Sequence, residues 1–448
     1  MKQKTLRLLA LVLAAVMALT LFGCGEGAEE PAPAPIRDDE LFTPDLAGTT
    51  ESSLVEIDVK DVHQTIQGFG GINYPVWIDD LSEEQRKTAF KNGEDQLGFT
   101  ILRIHVDPNS SNWERELETA KYAQEQGALI FASPWNPPSD MCEKFNHNGN
   151  TNAQRLKHDR YADYAQHLND FVTFMRDNGV ELYAISIQNE PDFADEWTWW
   201  STDEIMDFIK NYSDAIDCRI MSPEAFQYRK DFYNAILNDE DALSKVDVFG
   251  THFYGTQKKD MAYPLFEEKG EGKELWMTEV YVPNSDTDAD VWPQALEVAI
   301  NIHDGMTTGN MQAYVWWYIR RFYGPMKEDG TISKRGYCMA AFSKFVRPGY
   351  VRIGATESPA SSVSVSAYKS DEDGKVVIVA INHSFNNYAQ SFNIAGANDF
   401  EYIEAYTTDN NVSLERTGNI AYDGSQFTYV LKPESVTTFV VSLKTPED

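Results

Sequence analysis

Short apolar runs of strand length alternate with longer stretches of helical periodicity through the first three quarters of the chain. Such a rhythm is typical of parallel strands joined by crossover helices. Eight runs have the character of strands: 67–73, 101–108, 128–136, 182–191, 219–224, 246–255, 274–281 and 311–320. The clearest helix is 156–179, with apolar residues three and four apart and Asn178-Gly179 as its stop. Eight such units predict an α/β fold, a (β/α)8 TIM barrel. The alternative, a doubly wound open sheet, usually has fewer strands and a Gly-rich phosphate loop, which this sequence lacks.

The sequence changes character after about Tyr350. Apolar and polar residues then alternate, with Asn, Asp and Gly between the runs, which predicts an associated antiparallel β-sandwich. The runs are 362–368, 375–381, 390–394, 400–406, 426–431 and 437–443. Residues 54–59 alternate in the same way and can pair into this side domain. We therefore predict a catalytic barrel at 51–350, whose first strand can join the side domain, and a sandwich at 351–448.

The first residues carry a targeting signal. Lys2, Lys4 and Arg7 precede an apolar run that is too short to span a bilayer comfortably. The run ends in Leu21-Phe22-Gly23-Cys24, which resembles a bacterial lipobox with Cys24 as the lipidated residue. The alternative is an ordinary signal peptide cut near Gly25. We predict a signal peptide at 1–24, a flexible linker at 25–50 that is rich in Pro, Ala and acidic residues, and an extracellular protein, either a cell-surface lipoprotein or secreted.

Charge and cysteine content exclude several classes of partner. The 448-residue chain has a formal net charge of −32, which disfavours nucleic acid, whose phosphates need the opposite charge. Cys142, Cys218 and Cys338 are scattered and have no metal-ligand spacing, so we interpret them as free and apolar. We predict no cofactor and no metal, and contact with a membrane only through Cys24.

Two glutamates end strands that lie opposite each other in such a barrel. The fourth strand ends in Gln188-Asn189-Glu190-Pro191 and the seventh in Trp276-Met277-Thr278-Glu279. Active sites of these barrels lie at the carboxyl ends of the strands. Glycoside hydrolysis needs two carboxyls, one protonated to donate to the leaving oxygen and one ionised. The pair Glu190 and Glu279 therefore predicts a glycoside hydrolase.

Further segments resemble those of glycoside hydrolase family 30. They are Gln67-Gly68-Phe69-Gly70-Gly71, Leu102-Arg103-Ile104, Ser133-Pro134-Trp135 and the two glutamate segments. The segment from Trp316 to Met326 resembles subfamily 8, the glucuronoxylan endo-1,4-β-xylanases. The resemblance covers nearly all of the chain after residue 50, and the order and spacing of the segments make it specific.

The resemblance implies a retaining mechanism and a role for each matching residue. Glu190 would be the acid/base and Glu279 the nucleophile. Asn189 would hold the 2-hydroxyl of the sugar under attack, Trp135 would pack along that sugar, and Tyr254 would contact the nucleophile. His252 has two open interpretations, a site residue or a structural hydrogen-bonding group.

The resemblance also implies a site for the methylglucuronate branch of xylan, the predicted polysaccharide partner. Arg321 would bind the carboxylate, because a guanidinium can hold it bidentately. The rest of the pocket would be formed by Trp317, Tyr318, Tyr323, Tyr281 and Ser285. Arg320 is interpreted as one half of an ion pair at the barrel rim.

Several alternatives stay open at this point. One is another family 30 specificity, such as a β-1,6-glucanase or a β-glycosidase, and another is a surface lipoprotein that binds polysaccharide without cutting it. The tryptophans of residues 192–200 can form the floor of leaving-group subsites or pack against the barrel rim. For the sandwich we favour bracing of the barrel over sugar binding.

Overall fold

The computed structural model describes residues 41–283, 287–396 and 400–444. The predicted signal peptide with Cys24, most of the predicted linker and Ser285 lie outside these ranges. Within them, no helix is both long enough and apolar enough to cross a bilayer.

Eight parallel strands close into a barrel, and each is hydrogen-bonded to its neighbours in chain order. The strands are β1 Gly68–Ile72, β2 Ile101–His105, β3 Leu129–Ser133, β4 Ala184–Ser186, β5 Ile220–Met221, β6 Val248–His252, β7 Glu274–Glu279 and β8 Ala313–Tyr318. Pairing of β8 with β1 closes the ring. Each strand falls within one of the eight predicted runs, so the predicted barrel is confirmed.

The α-helices lie in the segments that follow the barrel strands. They are Pro75–Ile78, Glu83–Phe90, Leu117–Glu125, Tyr161–Asp177, Thr202–Tyr212, Asp231–Leu237, Glu240–Lys245, Pro264–Lys269, Leu296–Thr307 and Lys334–Ser343. The predicted helix 156–179 corresponds to Tyr161–Asp177. It buries Tyr164, Leu168, Phe171 and Met175, whose spacing of four, three and four residues forms one apolar face.

The barrel interior is a packed core. Its side chains are Ile101, Phe131, Ala184, Met221, Val248, Trp276, Ala313 and Val315, each with no exposed surface. Gly70 permits the close approach of β1 and β2, because a Cβ there would lie 1.8 Å from the carbonyl oxygen of Ile101. The core supports the strand ends rigidly from below, and these ends carry the predicted site residues.

A small three-stranded sheet joins the loops that follow β3 and β4. It consists of Cys142–Lys144, Gln154–Leu156 and Thr198–Trp199. The last of these strands immediately precedes the helix Thr202–Tyr212. Ser201 and Glu204 form a capping box at the N-terminus of this helix. The loop after β4 is therefore fixed at both of its ends.

A mostly antiparallel β-sandwich follows the barrel, and the predicted side domain is confirmed. Its longer strands are Val55–Thr65, Val351–Ala355, Val363–Ser370, Lys375–Asn382, Tyr388–Ala395, Phe400–Thr408, Gln426–Leu431 and Ser435–Leu443; short strands lie at Thr50–Glu51, Glu415–Thr417 and Tyr422–Asp423. The strand Val55–Thr65 precedes the barrel in sequence. It pairs antiparallel with Val351–Ala355 and parallel with Tyr388–Ala395.

The start of the described chain lies along the sandwich. The Phe42 amide donates to the carbonyl of Asn419 at 2.6 Å, and Thr50–Glu51 pairs with the strand that begins at Tyr388. Phe42 and Thr50 belong to the range 25–50 that we predicted as a linker, and residues 43–49 run between these two contacts.

The sandwich packs firmly on the barrel helices. The apolar cluster that contains most of the barrel helices extends onto the sandwich through Tyr368, Val377, Val379, Ile381 and Val436. Thr438 donates to the carbonyl of Ala341 in the helix Lys334–Ser343 at 2.6 Å. This contact supports a bracing role for the side domain.

Candidate active site

Glu190 and Glu279 lie together at the mouth of the barrel. Glu190 follows β4, and Glu279 is the last residue of β7. Each residue is only 4% exposed. One carboxylate oxygen of Glu190 lies within 4.8 Å of one of Glu279, so both can act on the same bond.

The backbone is strained where two of the acidic side chains emerge. Glu190, after β4, has a φ of +48°, and Glu224, after β5, has a φ of +52°. Non-glycine residues in this left-handed region cost on the order of 1–3 kcal/mol and cluster at functional sites. Hydrogen bonds hold the Glu190 turn: its amide donates to the carbonyl of Glu224, and its carbonyl accepts from Phe193, both at 3.0 Å.

Arg103, in the middle of β2, lies fully buried beneath the carboxyl pair. Its guanidinium donates to Glu279 Oε2 and to Asn189 Oδ1, the latter at 2.6 Å, and lies 3.1 Å from Glu224 Oε1. Burial acts to lower the pKa of Arg103, but the charges of Glu224 and Glu279 outweigh it and raise that pKa. The guanidinium therefore stays charged and stabilises Glu279 as an anion.

His252, the last residue of β6, lies fully buried among three carboxyls. Its Nδ1 is 2.9 Å from Glu190 Oε1, and its Nε2 is 3.8 Å from Glu224 Oε1 and 3.9 Å from Glu279 Oε2. Burial acts to lower its pKa, but the nearby carboxylates raise it to about 9. The ring is therefore an imidazolium at neutral pH.

Glu224 is a third carboxylate of the cluster, with no exposed surface. Burial acts to raise its pKa, but Arg103 and His252 lower the pKa to about 2. The Ser133 hydroxyl also donates to its Oε2 at 2.7 Å. Two cations, Arg103 and His252, thus face the carboxylates of Glu224 and Glu279.

The protonation of Glu190 decides the charge of this cluster. Burial raises its pKa to about 7, and the charge of Glu279 adds to this effect, against hydrogen bonds from His252 and from Trp197 Nε1, the latter at 2.7 Å. With Glu190 protonated, the buried charges balance. The arrangement therefore holds one ionised and one protonated carboxyl side by side, as acid-catalysed glycoside cleavage requires.

Two predicted site residues contact this cluster with polar groups. The Tyr254 hydroxyl donates to Glu279 Oε1 at 2.9 Å. Asn189 is fully buried, and its Nδ2 has no hydrogen-bond partner among the described residues. A buried amide donor without a partner is costly, so a ligand hydroxyl beside Glu279 would satisfy it.

Aromatic rings form one side of the cleft. The predicted Trp135 packs its ring under the Arg103 guanidinium at 4.7 Å and lies 5.0 Å from the Tyr74 ring. Trp77, which is 44% exposed, stacks on Tyr74 at 3.9 Å and on Trp197 at 5.8 Å. Such flat apolar faces beside polar groups suit pyranose rings.

The tryptophans of the loop after β4 were predicted either to form the floor of leaving-group subsites or to pack against the barrel rim, and the structure shows both arrangements. Trp197 borders the cleft and contacts Glu190. Trp200 is buried against the Tyr161 ring at 5.4 Å, and Trp199 packs on His147 at 4.0 Å. One ring therefore lies at the site and two pack against the rim.

The described branch-sugar residues lie near one another, Trp317 and Tyr318 at the end of β8 and the others in the segments after β7 and β8. The Arg321 guanidinium carbon lies 5.7 Å from the centre of the Tyr318 ring, and Tyr281 packs on Tyr323 at 5.2 Å. The Trp317 ring is 4.3 Å from that of Tyr318. The sixth predicted residue of this pocket, Ser285, lies outside the described residues.

The two adjacent arginines have different environments. Arg320 donates to the carbonyls of Ile78, Asp79 and Asp80, so it ties the rim after β1 to the rim after β8 instead of forming the predicted ion pair. Arg321 makes a long contact of 3.5 Å with Glu328, and its buried Nε has no partner among the described residues. Arg321 is thus available to an anionic ligand.

Sequence reasoning missed three contributors to the site. Arg103 was noticed only as part of a motif, and Glu224 and Trp77 were not assigned. Glu224 is the last residue of the predicted run 219–224, so the reasoning that found Glu190 near the end of its run could also have found Glu224. Arg103 lies inside a strand, where that reasoning does not apply. Trp77 lies in the short helix after β1 and had no recognisable spacing.

One trio among the described residues has the geometry for a metal ion: Glu190, His252 and Glu279. A histidine ligand must be neutral, yet the carboxylates around His252 raise its pKa to about 9. These three side chains therefore bind protons more readily than a metal ion.

Comparisons with known proteins agree with this fold. Residues 349–439 match the model of the glycosyl hydrolase family 30 beta sandwich domain. A Bacillus subtilis (strain 168) protein named glucuronoxylanase XynC is 57% identical over 399 residues, which cover 88% of this chain and 94% of that protein.

Two solved structures are also similar. A GH30 endoxylanase from Clostridium papyrosolvens C71 is 43% identical with a TM-score of 0.82, covering 87% of this chain and 100% of that one. The glycoside hydrolase family 30 subfamily 8 xylanase Xyn30A from Clostridium acetobutylicum is 36% identical with a TM-score of 0.77, covering 87% and 99%.

Proposed function

This chain belongs to glycoside hydrolase family 30, subfamily 8, and is a glycoside hydrolase; from that membership we propose that it is a retaining endo-1,4-β-xylanase that cleaves xylan carrying 4-O-methylglucuronate branches. One observation carries the chemistry: two buried carboxyls within 4.8 Å, one held ionised and one with a pKa raised to about 7. The relatives named as xylanases support the choice of polymer.

The carboxyl separation supports retention of the anomeric configuration. Retaining enzymes hold their carboxyls about 5–5.5 Å apart, whereas inverting enzymes leave about 6.5–9.5 Å for a water molecule. Glu279, stabilised by Arg103 and Tyr254, attacks the anomeric carbon and forms a glycosyl ester. Glu190 gives its proton to the leaving oxygen in the same step.

The same pair then completes hydrolysis. The ester at Glu279 carries no charge, so the repulsion that helps to raise the pKa of Glu190 disappears. Glu190, now an anion with a lower pKa, takes a proton from a water molecule while the water oxygen bonds to the anomeric carbon, and the bond between that carbon and the Glu279 carboxylate breaks. Asn189 Nδ2 would donate to the 2-hydroxyl of this sugar throughout.

Arg321 is proposed to select the bond by binding the glucuronate carboxylate. Its guanidinium lies by the Tyr318 ring and makes only a long contact with Glu328. Its buried Nε has no hydrogen-bond partner among the described residues. Tyr281, Tyr323 and Trp317 complete the pocket, with Ser285 proposed from the sequence. The protein as a whole is strongly acidic, so recognition of an acidic branch has to be local.

The deciding experiment compares Glu279→Gln with the unaltered protein on glucuronoxylan. We expect cleavage to fall by at least about 10⁴-fold, because the nucleophile is lost while the shape is kept. Proton NMR of the first product formed by the unaltered protein should show the β-anomer. Activity that survives Glu279→Gln would exclude the two-carboxyl mechanism and leave open a protein that binds polysaccharide.

Product analysis tests the substrate. On glucuronoxylan, each product should carry one glucuronate at a fixed distance from its reducing end, and arabinoxylan without glucuronate should be cut slowly. Rapid cutting of undecorated xylan, or of β-1,6-glucan, would instead indicate another family 30 specificity.

For location, we propose a cell-surface protein anchored through a lipid on Cys24, with secretion as the alternative. The lipobox-like segment Leu21-Phe22-Gly23-Cys24 supports it. Labelling with a radioactive fatty acid should tag the unaltered protein and not Cys24→Ser.

A further inference from the structure

A cavity of about 670 Å³ opens beside Glu190. Its lining comes from the loops after β2, β3 and β4, and it begins at Trp197, whose indole donates to Glu190 Oε2. The branch-sugar residues lie at the end of β8 and in the segments after β7 and β8, on the opposite side of the barrel mouth. A xylan chain that is bound at Arg321 and passes over the two glutamates therefore enters this cavity.

The cavity lies on the leaving-group side of the bond, if the proposed function is correct. The proton donor has to stand beside the leaving oxygen, and Trp197 connects the donor Glu190 directly to the cavity. The glucuronate bound by Arg321 belongs to the other half of the cut chain, which becomes bonded to Glu279. The cavity thus receives the sugars released first.

The walls of the cavity are fixed before a ligand binds. The small sheet of Cys142–Lys144, Gln154–Leu156 and Thr198–Trp199 crosses behind it. The Asn136 carboxamide oxygen accepts from Gln154 at 3.3 Å and from Thr198 at 2.9 Å. Amide groups held in this way are suited to hydroxyls of a neutral sugar.

The charges that line the cavity are mostly negative. Asp140, Asp195 and Glu196 contribute carboxylates, against one lysine, Lys144. Asp195 is held by the Asn150 amide at 3.2 Å, which leaves its charge uncompensated, and Glu196 is exposed. The opposite end of the cleft presents the guanidinium of Arg321, so the two ends of the cleft differ in sign.

We propose that this cavity is a leaving-group site for neutral xylose residues, and that Asp195 and Glu196 make it disfavour a xylose that carries glucuronate. This inference rests on the proposed function. Its consequence is that the enzyme requires one glucuronate on the side of Arg321 and discriminates against a second one just across the scissile bond.

The test uses two defined xylo-oligosaccharides that share a glucuronate on the Arg321 side. One has a neutral leaving group, and the other carries a second glucuronate on the leaving-group xylose. We expect kcat/KM for the doubly decorated compound to be about three- to tenfold lower, since unit charges act weakly at a solvated rim. In Asp195→Asn/Glu196→Gln the two compounds should come within about twofold of each other, because the remaining carboxylate, Asp140, lies 3.4 Å from the Arg160 guanidinium and is partly compensated by it.

A matched control is Glu271→Gln, which removes one exposed charge before β7, at the opposite end of the barrel, and should keep the discrimination. Equal cleavage of both compounds by the unaltered protein would overturn the inference, and so would discrimination that persists in Asp195→Asn/Glu196→Gln. Failure to cleave the singly decorated compound would instead overturn the proposed function, so the two failures can be told apart.

Discussion

His252 adjusts the protonation of Glu190, the proposed acid. Its ring lies 2.9 Å from Glu190 and carries a positive charge, because the carboxyl groups of Glu190, Glu224 and Glu279 surround it. A cation at this distance lowers the pKa of Glu190, so burial alone would raise that pKa further. His252 therefore sets the upper pH limit at which the acid remains protonated.

We expect kcat/KM to fall as pH rises through about 7, because the protonated form of Glu190 is lost there. In His252→Gln the loss of the cation should move this limb to higher pH. The free energy of unfolding should also fall as pH rises. A carboxyl whose pKa is raised on folding stabilises the folded state most below its unfolded-state pKa of about 4.5, and this contribution is lost as pH rises to about 7. The pH profile of kcat/KM checks the limb, and a limb that stays in place or moves to lower pH in His252→Gln would contradict this role.

Arg321 should matter only where the substrate carries a carboxylate. We expect Arg321→Ala to lower kcat/KM on glucuronoxylan by about 10²-fold, the size of a lost charge-assisted pair. Turnover of an aryl xyloside, if it is accepted, should change little. Arg320→Ala is the neighbouring comparison: because Arg320 holds the carbonyls of Ile78, Asp79 and Asp80, it should reduce thermal stability instead of specificity. Equal losses on both substrates in Arg321→Ala would count against the branch pocket.

How far the sequence predicted the site depends on where each residue lies. Glu190 and Glu279 could be predicted from the sequence because they lie at the ends of apolar runs, where side chains point into the mouth of a barrel. Arg103 lies within such a run, and Leu102-Arg103-Ile104 gives no sign that the arginine turns inward to meet two carboxylates and the carboxamide of Asn189. Partners of a buried charge come from distant strands, so the chain alone does not reveal them.

At the scale of elements, the loop after β4 carries both Glu190, the proposed acid, and Trp197. Its far end is fixed by Trp200, whose amide donates to the Pro191 carbonyl at 2.9 Å, and by the capping box at Ser201. The strain at Glu190 can persist because the loop is closed on both sides.

Ser201→Ala should lower the free energy of unfolding by about 1 kcal/mol, because the helix Thr202–Tyr212 loses its N-cap. It should also lower kcat, since Trp197 is held less firmly against Glu190. Ser82→Ala provides a matched control, because Ser82 forms the same capping box on Glu83–Phe90, away from the acid. Chemical denaturation and steady-state kinetics check both. A kcat that is equal in the two variants would show that the cap contributes stability alone.

Prediction of elements succeeded where one periodicity dominated. All eight barrel strands fell within predicted runs, but the fourth is only Ala184–Ser186, since the run continues into the strained turn that presents Glu190. The predicted helix 156–179 begins later, at Tyr161, because Gln154–Leu156 pairs into the small sheet instead. The strand Val351–Ala355 was not predicted, and its partner Val55–Thr65 lies before the barrel.

At the scale of the whole molecule, the barrel and the sandwich share apolar surface. The helix Lys334–Ser343 is almost entirely buried, in part against the sandwich strand Ser435–Leu443. We expect a protein that ends at residue 350 to expose this face, bind a hydrophobic dye and aggregate. Size-exclusion chromatography with activity measurement checks this, and a soluble, active monomer would contradict the bracing role.

The strand Val55–Thr65 pairs with strands that are far from it in the sequence. It is made before the barrel, yet its hydrogen-bond partners, Val351–Ala355 and Tyr388–Ala395, come after the barrel is complete. Pairings so distant along the chain form late and slow folding. The sandwich can therefore serve as a check on completeness: a chain that is released early keeps an unpaired strand edge, which is open to aggregation and proteolysis, and only the finished molecule closes it.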